Sequence, residues 1–337
     1  QKKPLVIDEI EVPAPLEGQV LVQVLCSGIC GSQIGEIDGV KGPDKFLPHL
    51  LGHEGTGTVI QCGRNVRTVK KGDRVVLHWR KGVGLEAVPP KYKSATLGSV
   101  NAGWVTTFNE YAVVSENRVT AIPSNFDIEA GALMGCAVTT AFGVIHNNAK
   151  LKRGESIAIF GAGGIGLNMV QAAVLAGAKP IIALDIHDNR LKLAAGLGAT
   201  HCINSARADA AAEVRKIVGD QGVDVAIENT GNVKVIETAY ELTAAAGRTI
   251  LVGVPRKGEK ASIYTLPLHF GKVLTGSHGG EARPAIDIPK YIELVRMGKL
   301  DLKPLVGKRY RLEEINEAIA DMRTGAIAGR CMVIMKD

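Results

Sequence analysis

Three residues able to bind a metal stand in glycine-rich settings: Cys30 in Gly28-Ile29-Cys30-Gly31-Ser32, His53 in Gly52-His53-Glu54-Gly55-Thr56-Gly57, and Cys136 in Gly135-Cys136-Ala137. Two thiolates and one imidazole suit zinc, and three protein ligands leave a fourth position open for water or substrate. Singly, each has a plainer reading, the cysteines as small core residues and the histidine as a satisfied core or surface side chain. A second group could hold a phosphate ester. Gly161-Ala162-Gly163-Gly164-Ile165-Gly166 follows the apolar run 156–160 and opens a segment with apolar residues at Met169, Val170, Ala173 and Val174. Strand, glycine turn and helix therefore succeed one another. Nineteen residues after Gly166, the β-rich run 180–184 ends on Asp185, where a dinucleotide-binding βαβ unit places its acidic residue. Gly161 makes the tight turn, Gly163 lets the backbone approach a pyrophosphate, and Gly166 lets helix and strand pack closely. The free N–H groups at the helix start face the anion.

These groups need a scaffold of more than one domain. The chain has 337 residues, which suggests two domains, and its 46% hydrophobic residues with only 4% aromatic imply a core of Val, Ile, Leu and Ala. Forty basic against thirty-four acidic residues give +6, with no block of five like charges, so no nucleic-acid stripe is present. No apolar run of 18 residues suggests a membrane span. Six cysteines, at 26, 30, 62, 136, 202 and 331, do not resemble a disulfide framework, and a reduced cytoplasmic protein is expected. The chain opens in a strand-like context, Pro4-Leu5-Val6-Ile7, and a short preceding piece is expected.

Residues 1–137 read as β-rich, with alternating runs at 19–24, 57–60 and 74–77. Residues 138–277 alternate β and α. Strands at 156–160, 180–184, 201–203, 223–227, 248–253 and 272–276, with helices near 188–197, 207–218 and 233–245, predict an α/β fold with a doubly wound six-stranded parallel (Rossmann) sheet. Residues 278–337 carry helical stretches at 288–296 and 312–323 and a closing strand at 331–335. The economical arrangement returns this segment to the first domain and leaves a cleft between the domains.

In order and spacing, the three metal-ligand stretches, Lys71-Gly72-Asp73-Arg74-Val75 and the glycine motif resemble the zinc-dependent medium-chain alcohol dehydrogenases, nearly end to end. The resemblance implies a catalytic GroES-like domain (1–137), an NAD-binding domain (138–277) and a C-terminal return (278–337). It makes Cys30, His53 and Cys136 the catalytic zinc ligands, and Glu54 a carboxylate that either touches the metal or orients His53. Ser32 matches the hydroxyl that meets the substrate oxygen, and Trp79 a wall of the substrate pocket or a core residue. Thr140, Thr230, Gly253 and Arg330 match positions around the coenzyme. Arg330 would pair with its pyrophosphate or stand as a surface charge. With Gly161, Gly163, Gly164, Ile165 and Gly166, they would hold NAD, which Asp185 favours over NADP. His187 and Arg190 could soften that bias.

The implied reaction is hydride transfer between an alcohol and NAD, with zinc as Lewis acid. The partners implied are a small alcohol or carbonyl and further copies of the chain in a homodimer or homotetramer, without nucleic acid or membrane. Two other readings stand beside it, a zinc-independent quinone or enoyl reductase of the same superfamily and a non-catalytic nucleotide-binding protein. Three departures from the family matter. Residues 79–110 contain no cysteine to hold a structural zinc, so one zinc is expected, while Gln33 stands where aspartate is frequent and Gly35 where a proton-relaying histidine is common.

Overall fold

The computed structural model describes residues 1–335. It separates into two compact units, residues 1–139 with 283–335, and residues 140–282. The sequence had put these boundaries at 137 and 277.

The chain begins with β1 (Ile10–Glu11), β2 (Gln19–Gly28), α1 (Gly31–Ile37), β3 (Glu54–Cys62) and β4 (Arg74–His78). Val20, Val22, Val24 and Cys26 on β2 are all fully buried, as a period of two requires for a strand with one face on the core. Gly57 is glycine because β2 runs close by. A Cβ there would lie 2.4 Å from the carbonyl oxygen of Gln23. Next come β5 (Lys91–Ser94), β6 (Gly98–Asn101), β7 (Tyr111–Ser115), β8 (Val119–Ala121), α2 (Ile128–Met134) and α3 (Ala137–Gly143). The lobe before β7 is held by a carboxylate. Glu116, 1% exposed, accepts the backbone N–H groups of Arg67, Thr68 and Leu85, each at 2.7 Å. Burial pushes its carboxyl up, and these donors more than offset that, leaving it below the ordinary value.

The second unit holds β9 (Ile157–Phe160), α4 (Gly164–Ala176), β10 (Ile181–Asp185), α5 (Asp188–Gly196), β11 (His201–Asn204), α6 (Ala210–Val218), β12 (Val223–Glu228), α7 (Val233–Leu242), β13 (Thr243–Leu251) and β14 (Val273–Gly276). All six strands are parallel, in the order β11-β10-β9-β12-β13-β14. This is the expected doubly wound sheet, and its order reverses between β9 and β12, the switch point where such folds bind ligands. The chain then forms α8 (Pro284–Arg296), β15 (Val306–Arg311), α9 (Ile315–Thr324) and β16 (Arg330–Ile334). β16 pairs antiparallel with β2, Met332 opposite Gly28, and completes a sheet ordered β15-β16-β2-β3-β4-β8, with β7 also on β2.

Three local expectations change. Residues 4–7 form no strand; Leu5 instead exchanges two hydrogen bonds with the Asn316 side chain. β13 starts at Thr243, because Thr243 pairs with Val223 and the chain then bulges before Arg248 meets Val225. α8 starts at Pro284, a first-turn position where the missing N–H costs nothing. Among the described residues, no single helix is long and apolar enough to cross a membrane.

Candidate active site and nucleotide cradle

The metal-binding residues come from three places in the first unit. Cys30 immediately precedes α1, His53 immediately precedes β3, and Cys136 lies between α2 and α3. Their ligand atoms all lie within 4.8 Å of one another. Both cysteines are buried, and His53 Nε2 is a buried nitrogen with no hydrogen-bond partner. An orphaned imidazole nitrogen beside two buried sulfurs fits a zinc ion, which would replace the missing partner. The pair of thiols is already polarised. A hydrogen bond from Cys136 holds the Cys30 thiol well below the ordinary range against the opposing effect of burial, and the charges of Arg330 and His53 add to it. Cys136 is pushed up correspondingly.

Glu54 is not among the converging atoms. One carboxylate oxygen accepts the Ala137 N–H at 3.1 Å, and the other lies 3.0 Å from Arg330 Nε. With both oxygens engaged and no exposure, Glu54 stands behind the metal site. Burial raises its carboxyl and Arg330 opposes the shift. Arg330 itself lies on β16, 4% exposed, which removes the surface-charge reading. The sequence could pair it with a coenzyme phosphate but gave no sign of Glu54, since 276 positions separate the two.

Gln33, read from the sequence as a neutral amide near the metal ligands, makes two contacts there. Its amide nitrogen meets His53 Nδ1, and its Oε1 accepts the Cys30 N–H at 3.0 Å, so one side chain spans two ligand residues. Trp79 is half-buried, packs on the core, and has its ring centroid 6.4 Å from that of His53. It is both a core and a site residue. Ser32, exposed, occupies the first turn of α1, two residues after Cys30.

The remaining predicted residues lie in the second unit, Thr140 in α3, Asp185 at the end of β10 and the others in the segments that follow β9, β10, β12 and β13. Gly161 has φ +95°, and a Cβ on Gly166 would lie 1.9 Å from the Gly161 carbonyl oxygen. Gly163, the residue before α4, would place a Cβ in open space, and no side chain caps that helix. Gly164 and Ile165 form its first turn. An uncapped helix start behind an unobstructed glycine fits a pyrophosphate. Asp185 joins the cradle directly, accepting the N–H of Ala162 at 2.8 Å and of His187 at 3.0 Å. Arg190 Nη1 is 3.6 Å from the Asp185 carboxylate. Gly253 is packed on the neighbouring loop, where a Cβ would sit 2.1 Å from the Gly231 nitrogen, and Thr140 is buried in α3. Thr230 is held by Glu228, a buried carboxylate that also accepts the Gly231 N–H. The sequence reading passed over Glu228, although an acidic residue ending the apolar strand 223–227 was the available signal.

Residues 16–124 match the alcohol dehydrogenase GroES-like domain, and residues 164–296 the zinc-binding dehydrogenase family. An S-(hydroxymethyl)glutathione dehydrogenase of Escherichia coli (strain CFT073) is 34% identical, across 96% of this chain and 94% of its own. Among solved structures, an alcohol dehydrogenase zinc-binding domain protein from Burkholderia ambifaria superposes with a TM-score of 0.90 at 31% identity, covering 99% of this chain and 96% of that one. Benzyl alcohol dehydrogenase from Acinetobacter calcoaceticus gives 0.87 at 30% identity, covering 97% and 94%. The chain therefore belongs to the zinc-dependent medium-chain alcohol dehydrogenases. Within that family it is an NAD-dependent enzyme that interconverts an alcohol and its carbonyl product.

Proposed function

We propose that the enzyme carries one tightly held zinc per chain, on Cys30, His53 and Cys136, and oxidises an alcohol bound beside Trp79. The observation that carries this reading is the orphaned His53 Nε2 between two buried thiols, in a lobe whose residues 79–110 supply no cysteine for a second such site. When bound, zinc supplies Lewis acidity to the alcohol oxygen, and NAD supplies the hydride acceptor. The chain's own residues do the rest. Glu54 and Arg330 fix a buried ion pair behind the ligands, Gln33 spans Cys30 and His53, and Ser32 Oγ receives the proton that the alcohol loses. Gly35 offers no imidazole, so Ser32 would pass the proton on without a histidine relay in α1. The glycine cradle holds the pyrophosphate, with Thr140, Thr230 and Gly253 around it. Asp185, with Arg190 beside it, favours the ribose of NAD over the 2′-phosphate of NADP.

The substrate class is a primary or secondary alcohol, with aromatic alcohols, diols, polyols and sugar or cyclitol alcohols as candidates. The edge strand β14 and the exposed Tyr264 and Phe270 near it support a homodimer or homotetramer. The six cysteines form no disulfide among the described residues, which supports a reducing, cytoplasmic setting. Elemental analysis combined with NADH formation on an alcohol panel tests the reading. One zinc per chain, with turnover favouring NAD over NADP, is expected. Two tightly held zincs, a fully active metal-free preparation, or equal efficiency with both cofactors would remove the corresponding part.

A further inference from the structure

Apart from the zinc ligands, the described residues bring together one more set of metal-donor atoms. Glu36, Asp44 and His49 place theirs within 4.8 Å of one another. Glu36 sits in the last turn of α1, Asp44 in the loop that follows, and His49 four residues before His53. His49 Nε2 is 2.7 Å from Asp44 Oδ2 and 3.7 Å from Glu36 Oε1. Nitrogen and oxygen ligands held about 2.1 Å from one cation stand roughly 3.0–3.4 Å apart in octahedral or tetrahedral geometry. The two observed separations bracket that edge.

The surroundings aim these atoms inward. His49 Nδ1 donates to the Leu50 carbonyl oxygen at 2.7 Å, as the outer nitrogen of a metal-ligating imidazole ordinarily does, and Nε2 donates to Asp44 Oδ2 through a proton that a cation would replace. Asp44 Oδ1 accepts the Phe46 N–H at 2.8 Å, fixing that carboxylate with its other oxygen toward His49. The His49 and Asp44 side chains are 10% and 13% exposed and that of Glu36 is 46% exposed, so the cluster has a built floor and one open side. All three residues line a cavity of about 680 Å³, bounded also by Val6, Leu97 and Phe108, with room for water.

We propose that Glu36, Asp44 and His49 form a second cation site for a divalent first-row transition ion, with water from the cavity completing its coordination. One imidazole and two carboxylates suit manganese, iron or zinc, and their two negative charges match a divalent cation. Without a thiolate the ion is exchangeable, so the count of tightly held zinc is unaffected. A cation here ties the end of α1, which begins beside Cys30, to the segment that leads into His53.

The probe is Mn²⁺, which lies lowest in the affinity order and does not displace zinc from a thiolate site. Titrating the zinc-loaded enzyme while following the free Mn²⁺ paramagnetic resonance signal should show one site per chain. Glu36→Gln, at a half-exposed position that leaves the fold intact, should weaken uptake by about tenfold or more. His49→Asn should abolish it, with zinc content unchanged in both variants. Equal uptake by all three proteins, or no uptake by the wild type at millimolar Mn²⁺, overturns the site. The triad is then an ion pair between a protonated His49 and its carboxylates.

Discussion

Around Cys30, His53 and Cys136 the chain buries reactive and charged side chains, whereas along residues 161–166 four of six positions are glycine and carry no side chain. At the metal centre, Glu54 and Arg330 are paired with almost no exposure, and Gln33 braces both Cys30 and His53. In the cradle the decisive observations are spaces, open at Gly163 and closed at Gly166, where the Gly161 carbonyl oxygen occupies the site of a Cβ. The first region is sensitive to the identity of single atoms and the second to volume. Substitutions that look equally mild therefore fail for different reasons.

The largest effect expected is at the metal centre. Cys30→Ser removes one soft ligand and should cost zinc retention and roughly 10⁴-fold or more in turnover, the several kcal/mol a Lewis-acid metal supplies. NAD affinity, measured by fluorescence titration, should stay within about twofold, since the cradle lies in the other unit. A parallel loss of NAD binding would erase the distinction between the regions. Ser32→Ala sharpens it within the first region by leaving the ligands intact and removing only a hydroxyl. Turnover should fall by roughly 10²–10⁴, the usual worth of a positioned proton-transfer group, with zinc content unchanged. Near-native turnover across the pH range would show that the proton leaves by another route. The smallest effect belongs to volume. Gly166→Ala adds a methyl where 1.9 Å is available, and it should cost about 1–3 kcal/mol, read jointly from thermal unfolding and the NAD dissociation constant. Zinc content should not move.

The same contrast explains what could be read from the sequence. The parallel sheet was legible because Val, Ile and Leu runs alternate with helical segments, and its glycine turn because only glycine meets those steric demands. The three converging metal-donor residues were legible through their glycine-rich surroundings and the resemblance these carry. Gln33 bridging to the Cys30 N–H and Arg330 against Glu54 were not, the second because a contact between residues 276 positions apart leaves no local pattern. Residues 128–143 went unread as helices because α2 and α3 have seven residues each, and α2 is mostly buried, with too little polar face to show a period. Glu54 fell between these cases. Its place beside His53 was plain, but the contacts of its two oxygens with Arg330 and the Ala137 N–H were not.

Glu116 carries a consequence for how the enzyme ages. A lobe knitted by four thiolates around a metal comes apart when an oxidant takes the sulfur or a chelator takes the ion. Here the corresponding stretch has no sulfur among residues 79–110, and one carboxylate gathers the chain at Arg67, Thr68 and Leu85 through oxygen and nitrogen alone. Peroxide or a chelating buffer that silences Cys30 and Cys136 would leave this lobe standing. Oxidative damage would then produce an intact but inactive enzyme, one that re-reduction and zinc could restore without refolding.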